Sequence, residues 1–154
     1  MSGTLDERLA ACRRICFDSA PLIYFIEEHP TYFGVLLPLF ERLAGGSLDG
    51  FTSTIALSEV LVKPLEQSRA DLVLAFMHLL TKSRGFTVFP VDRHVARTGA
   101  ELRAGPKKLR APDALLLATA VLHDADVFLT NDANLRRREE VNVVFLGDLV
   151  GEVE

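Results

Sequence analysis

The sequence predicts an α/β fold: one three-layer α/β/α domain around a central parallel sheet of about five strands. Three observations predict it. Apolar runs of strand length alternate with segments of helical periodicity along the chain, which implies parallel strands joined by crossover helices on both faces. No internal repeat, low-complexity tract or linker divides the 154 residues. A chain of this length buries roughly 70% of its extended surface, so it needs neither disulfides nor a structural metal. Residues 1–154 are read as a single domain, with 1–13 an extension ahead of the first strand.

Arg14-Ile-Cys-Phe-Asp18 is the first strand, and Ser19-Ala-Pro21 starts a helix with proline in its first turn, closed before His29-Pro30. A second apolar segment, Tyr32 to Leu43, is expected to be kinked or split by Pro38 and ended by Gly45-Gly46. Gly50-Phe-Thr-Ser53 is the second strand, and Ser53 or Thr54 caps a helix to Val62. Ala70 to Lys82 carries apolar residues at helical spacing, and Phe86-Thr-Val-Phe89 is β-rich and closed by Pro90. Asp92 caps a helix to about Leu102, and Gly105-Pro106 breaks the chain. Pro112 opens another helix to about His123, followed by the strand Val127-Phe-Leu-Thr130. A short helix over 133–138 and a strand over 142–146 complete the chain.

The composition is 49% hydrophobic and 25% charged, and mean hydropathy is +0.22. No apolar run approaches the ~20 residues of a bilayer span. Charges near the N-terminus replace the apolar core of a signal peptide, so a cytoplasmic protein with Cys12 and Cys16 reduced is expected. Net charge is −4, yet six basic residues (Arg93, Arg97, Arg103, Lys107, Lys108, Arg110) cluster in one stretch, and Arg136-Arg137-Arg138 follow. Thirteen of the 17 basic residues are arginine, whose planar fork suits phosphate. The alternative for these runs is a solvated helix face.

Sites in an open parallel sheet form outside the carboxyl ends of its strands. Asp18 ends the first strand there, and Asn131-Asp132 follow the strand that ends at Thr130. Glu59 shares a helix face with Ile55 and Val62, so the pattern turns its carboxylate toward the interior, where it needs a hydrogen bond, an ion pair or a metal. A salt bridge with an arginine is the alternative. Asp113 opens a helix and reaches the same edge only if the preceding loop crosses the top of the sheet. Taken singly, Asp18, Asp113 and Asp132 could each be a helix cap or a first-turn acid. Together, four carboxylates repel unless a cation neutralises them, and hard oxygen ligands select Mg²⁺ or Mn²⁺. Such ions activate water for phosphodiester hydrolysis without a His, Lys or Cys nucleophile. His29, His78, His94 and His123 show no ligand spacing, and Gly45-Gly46 is no phosphate loop.

Four segments then carry a family resemblance: Ile-Cys-Phe-Asp18-Ser-Ala-Pro-Leu-Ile-Tyr, Thr52-Ser-Thr-Ile-Ala-Leu-Ser-Glu59-Val-Leu, Leu109-Arg-Ala-Pro-Asp113-Ala-Leu-Leu-Leu-Ala-Thr-Ala and Ala125-Asp-Val-Phe-Leu-Thr130-Asn-Asp132. Over about Arg14 to Leu149 the chain resembles the PIN-domain ribonucleases, and among them the VapC toxins of toxin–antitoxin pairs. Each motif alone is loose; four in order are specific. The resemblance implies a PIN-like fold in which Asp18, Glu59, Asp113 and Asp132 hold Mg²⁺ or Mn²⁺ and polarise a water for attack on RNA. It also implies that Asp113 reaches the cluster, and it gives Ser19, Thr130 and Asn131 supporting places. A homodimer and an antitoxin partner are implied as well. The chain departs from many relatives in its N-terminal extension and in its last motif, Thr-Asn-Asp-Ala-Asn-Leu, with Asp126 the alternative final acid.

The leading expectation is a metal-dependent endoribonuclease in which Arg103, Lys107, Lys108, Arg110 and Arg136 hold RNA phosphates. A non-catalytic RNA-binding or protein-interaction domain on the same fold would instead show salt-sensitive RNA binding without cleavage. A receiver-like phosphoacceptor lacks its adjacent acid pair and a suitably placed lysine. Ten phenylalanines suggest an apolar surface that a partner covers.

Overall fold

The computed structural model describes residues 9–150. The chain runs β1 (Arg14–Phe17), α1 (Ser19–Ile26), α2 (Phe33–Gly45), β2 (Asp49–Ser53), α3 (Thr54–Glu66), α4 (Ala70–Lys82), β3 (Phe86–Phe89), α5 (Arg93–Ala104), α6 (Ala111–Leu122), β4 (Val127–Thr130) and β5 (Val143–Phe145). Short 3₁₀ turns cover Ala133–Leu135 and Leu146–Leu149. The five strands form one sheet in the order β3-β2-β1-β4-β5, with every neighbouring pair parallel. Most of the expected extension 1–13 lies outside the described residues. Its end is docked: Leu9 is buried, and the Arg42 guanidinium donates to the carbonyls of Leu9 and Cys12 at 3.0 and 2.9 Å.

Alternation along the central strands divides the core between the two faces of the sheet. Ile15 and Phe17 of β1 and Val127 and Leu129 of β4 point into one cluster, which also takes Leu22, Leu36, Val60 and Phe76 from the first four helices. Cys16 and Phe128 point the other way, onto Leu116, Leu117 and Ala120 of α6. Three layers follow from that arithmetic. β1 and β4 sit side by side with Ile15 opposite Val127 and Phe17 opposite Leu129. Successive crossovers place β2 and β3 on one side of β1 and β4 and β5 on the other, so the strand order reverses between β1 and β4. At such a switch point the loops diverge and leave a crevice at the carboxyl edge.

Pro38 does not split α2; the helix is continuous from Phe33 to Gly45. The missing N–H would have bonded the carbonyl of Gly34, and both Gly34 and Pro38 are exposed, so water can satisfy that carbonyl. Likewise α3 continues through Pro64 to Glu66, past its expected end at Val62. Pro64 is buried at four-residue spacing from Ala56 and Val60, and that packed stripe holds the last turn in place. The expected last helix over 133–138 is shorter, a 3₁₀ turn at Ala133–Leu135.

Candidate active site

Asp18 follows β1 directly, at the crevice. Its extended backbone makes it the N-cap of α1: Oδ1 accepts from the Ser19 N–H at 2.7 Å. Oδ2 accepts from the Thr130 hydroxyl at 2.6 Å, across from the end of β4. The carboxylate is nonetheless buried, with the residue only 8% exposed. That burial raises its pKa above the ordinary value; the bonds from Thr130 and Ser19 pull it down, and the charges of Asp113 and Glu59 push it up again. Both acids therefore stand within electrostatic reach of Asp18. Capping accounts for an acid at this position. It does not account for one that is buried and crowded by like charges.

Thr130 ties the two strand ends together. While its hydroxyl donates to Asp18, the same oxygen accepts the Asp132 N–H at 3.0 Å. Asp132 in turn caps the following 3₁₀ turn through Asn134 N, at 2.9 Å. Asn131 lies between, donating from Nδ2 to the Tyr24 hydroxyl at 3.3 Å, while its buried Oδ1 has no partner among the described residues. Ser19 contributes its backbone N–H to Asp18. Tyr24 escaped the sequence reading. The only available signal was a polar-tipped aromatic on the helix after the first acid, since no spacing rule links residues 24 and 131.

Asp113 stands in the first turn of α6, its side chain 14% exposed, and accepts from Arg110 Nε at 3.2 Å. The Arg110 guanidinium also feels the charges of Asp132 and Glu59. Thus the loop before α6 brings Asp113 to the strand-end edge, and all four expected acids share one electrostatic neighbourhood. Glu59 corrects an expectation: it is exposed, because the buried stripe of α3 is Ala56, Val60 and Pro64, and Val62 on the Glu59 side is itself 51% exposed. From that exposed position its charge still acts on Asp18 and Arg110. Asp126, the alternative last acid, lies at the opposite edge, where its Oδ2 accepts the N–H groups of Arg13 and Arg14 at 2.8 and 2.9 Å.

The donor set fits a hard divalent cation by its chemistry, being oxygen throughout, with a buried carboxylate held in place and an orphaned amide oxygen alongside. Among the described residues no three acids, histidines or cysteines converge closely enough to form a closed shell. Cysteine chemistry has no place here: burial pushes the Cys12 thiol up to about 11 and that of Cys16 well above its ordinary value.

The expected phosphate-binding cations divide into two groups. Lys107 and Lys108 are exposed on the loop before α6, with no ion pair among the described residues, and Arg103 braces that loop by donating to the Leu109 carbonyl at 3.3 Å. Arg136 is engaged elsewhere, paired with Asp148 and lying 4.7 Å over the Phe145 ring. Its neighbour Arg138 is buried and bidentate with Glu140, at 3.0 and 2.6 Å. No described helix is long and apolar enough to cross a membrane.

Comparison with known proteins agrees with this architecture. The family model described as PIN domain matches residues 15–141. No curated protein matches the chain in sequence. Among solved structures, the chain is similar to a VapBC complex from Rickettsia felis bound to promoter DNA, with TM-score 0.66 and 16% identity over 86% of this chain and 98% of that one. It is similar also to a toxin–antitoxin complex from Klebsiella pneumoniae, with TM-score 0.61 and 22% identity over 86% and 97%. A third is a VapC toxin from Mycobacterium tuberculosis described as cleaving the sarcin–ricin loop, with TM-score 0.59 and 15% identity over 74% and 86%. At these identities the likeness is one of fold.

Proposed function

The chain belongs to the PIN domain family, and from that premise we propose that it is a metal-dependent endoribonuclease that hydrolyses RNA phosphodiesters, the toxin of a toxin–antitoxin pair. One observation carries the reading: a buried carboxylate, Asp18, lies at the switch point of the sheet with the charges of Asp113 and Glu59 crowding it. A structural cap has no use for that arrangement, whereas a divalent cation is stabilised by it.

Asp18, Asp113, Asp132 and Glu59 would hold Mg²⁺ or Mn²⁺. When bound, such an ion lowers the pKa of a water and offsets charge on the phosphodiester. Asp18 is the anchor, because bonds from Ser19 and Thr130 fix both its oxygens and so orient the remaining lone pairs. Asp132 shares that anchorage through Thr130, and Glu59 would reach the ion from its water-exposed position. Lys107 and Lys108, exposed on the loop that leads into the helix of Asp113, and Arg103, bonded to that loop, would supply cations for RNA phosphates. Arg136 would have to leave Asp148 to join them.

An antitoxin-like protein, a homodimer and a cytoplasmic location belong to the same reading. Its support is the toxin–antitoxin character of the similar structures, together with Val62, Leu65 and Leu74, which are 51, 61 and 70% exposed on α3 and α4. The test is to incubate the purified protein, freed of partners, with a mixed pool of structured RNA in Mg²⁺, Mn²⁺ or EDTA, beside Asp18→Asn. Metal-dependent cleavage that Asp18→Asn lacks is the expected result. RNA binding without cleavage in any metal would favour a non-catalytic domain on the same fold.

A further inference from the structure

Arg110 occupies a position that its own helix does not reward. It is the N-cap residue of α6, with an extended backbone and no capping bond from its side chain. A cation there opposes the helix dipole, which favours negative charge at the N-terminus. An arginine preceding its acid by three residues is also the weaker order for a helical ion pair. What holds the guanidinium is the acid cluster: it donates to Asp113 at 3.2 Å and lies within the fields of Asp132 and Glu59. Exposure differs sharply between the partners, at 74% for the Arg110 side chain and 14% for that of Asp113. The arginine can leave at little cost, whereas the carboxylate is largely covered by its surroundings.

Resting on the metal-dependent reading above, we propose that Arg110 and the divalent cation compete for Asp113, and that the displaced guanidinium is the arm that takes an RNA phosphate. A guanidinium on Asp113 covers a carboxylate that the ion needs and repels the ion's charge. Once released, the same planar fork, on an exposed residue two places after Lys108, can match a phosphate with two parallel bonds. Arg110 is thus a substrate-binding residue that links metal loading to substrate grip.

Competition predicts opposite signs for two measurements on one variant. In calorimetric titration with Mn²⁺, Arg110→Gln should bind the ion about three- to tenfold more tightly than the wild type. Arg110→Lys, which keeps the charge without the fork, should fall between them. At saturating Mn²⁺, Arg110→Gln should raise KM for the RNA pool with kcat nearly unchanged. Misfolding would weaken both, and a purely structural ion pair would move neither. Mn²⁺ affinity unchanged or weakened in Arg110→Gln, with the wild type binding the ion, overturns the competition and leaves the nuclease assignment standing. Tighter Mn²⁺ binding with an unchanged KM removes the phosphate arm. A wild type that takes up no Mn²⁺ at all overturns both proposals.

Discussion

The two ends of the sheet treat charge in opposite ways. At the amino edge the bonded charges serve the fold: Asp126 accepts two backbone N–H groups, and Arg14 donates to the His123 carbonyl at 2.9 Å and pairs with Asp49 at 3.8 Å. The Arg14 guanidinium also lies 4.9 Å over the Phe51 ring, and Arg42 closes the N-terminal segment through two carbonyls. At the carboxyl edge, Asp18, Glu59, Asp113 and Asp132 share one neighbourhood with Arg110, and Asp18 is buried among like charges. Both ends are equally integral to the fold. An acid matched by backbone donors serves stability, whereas acids left in excess store repulsion that a cation relieves.

The largest expected effect breaks the carboxyl edge. Asp18→Asn should lower the rate of RNA cleavage by about a thousandfold or more while the protein stays folded. Cleavage near the wild-type rate would remove Asp18 from the site. Thr130→Val keeps the shape of a fully buried side chain but deletes the donor to Asp18 and the acceptor for Asp132 N. Loss of such an orienting bond should cost about ten- to a hundredfold in metal affinity or cleavage rate, read by Mn²⁺ titration and initial rates.

The amino edge should respond in the other currency. Asp126→Ala leaves two N–H groups without their acceptor, and a loss of about 2 kcal/mol is expected, lowering Tm by roughly 4–8 °C for a chain of this size. The cleavage rate of the folded protein should not change. A rate loss matching that of Asp18→Asn would erase the distinction between the edges.

The smallest effect sharpens the comparison through pH. Burial raises the folded-state pKa of Asp18 above its ordinary 3.8, so the protonated form is the one that folding favours. Its contribution to stability is complete below the unfolded value and is lost as pH rises through the folded value. Measured without metal, the Tm of Asp18→Asn should therefore gain on the wild type between pH 4 and neutrality. A difference that does not vary with pH would show that the carboxylate is not strained by its surroundings.

Much of the fold could be read from local signals, since each strand has its apolar run and several helices have their caps at Asp18, Ser53 and Asp92. Pro38 misled because sequence marks the missing N–H but not where its orphaned carbonyl points, here toward water, and α3 outran its expected end at Val62 because Pro64 packs into its buried stripe. In the site, the acids that follow strands were legible by position. Glu59 was assigned the wrong environment because Ile55, Glu59 and Val62 form an apolar-looking stripe beside the one that packs, and periodicity alone cannot choose between adjacent stripes. Arg110 and Arg136 look alike as members of basic runs. Only the fold shows that one faces the acids while the other is engaged by Asp148 and Phe145.

The pairing of β1 with β4 bears on how such a protein is made. Asp18 takes its second hydrogen bond from Thr130, and that strand can enter the sheet only after more than a hundred further residues have been added. β2 flanks β1 on one side while the other side waits open for β4. A ribosome-bound chain therefore carries the first acid without its anchor. Any activity that depends on the anchored acid can arrive only once β4 has joined β1.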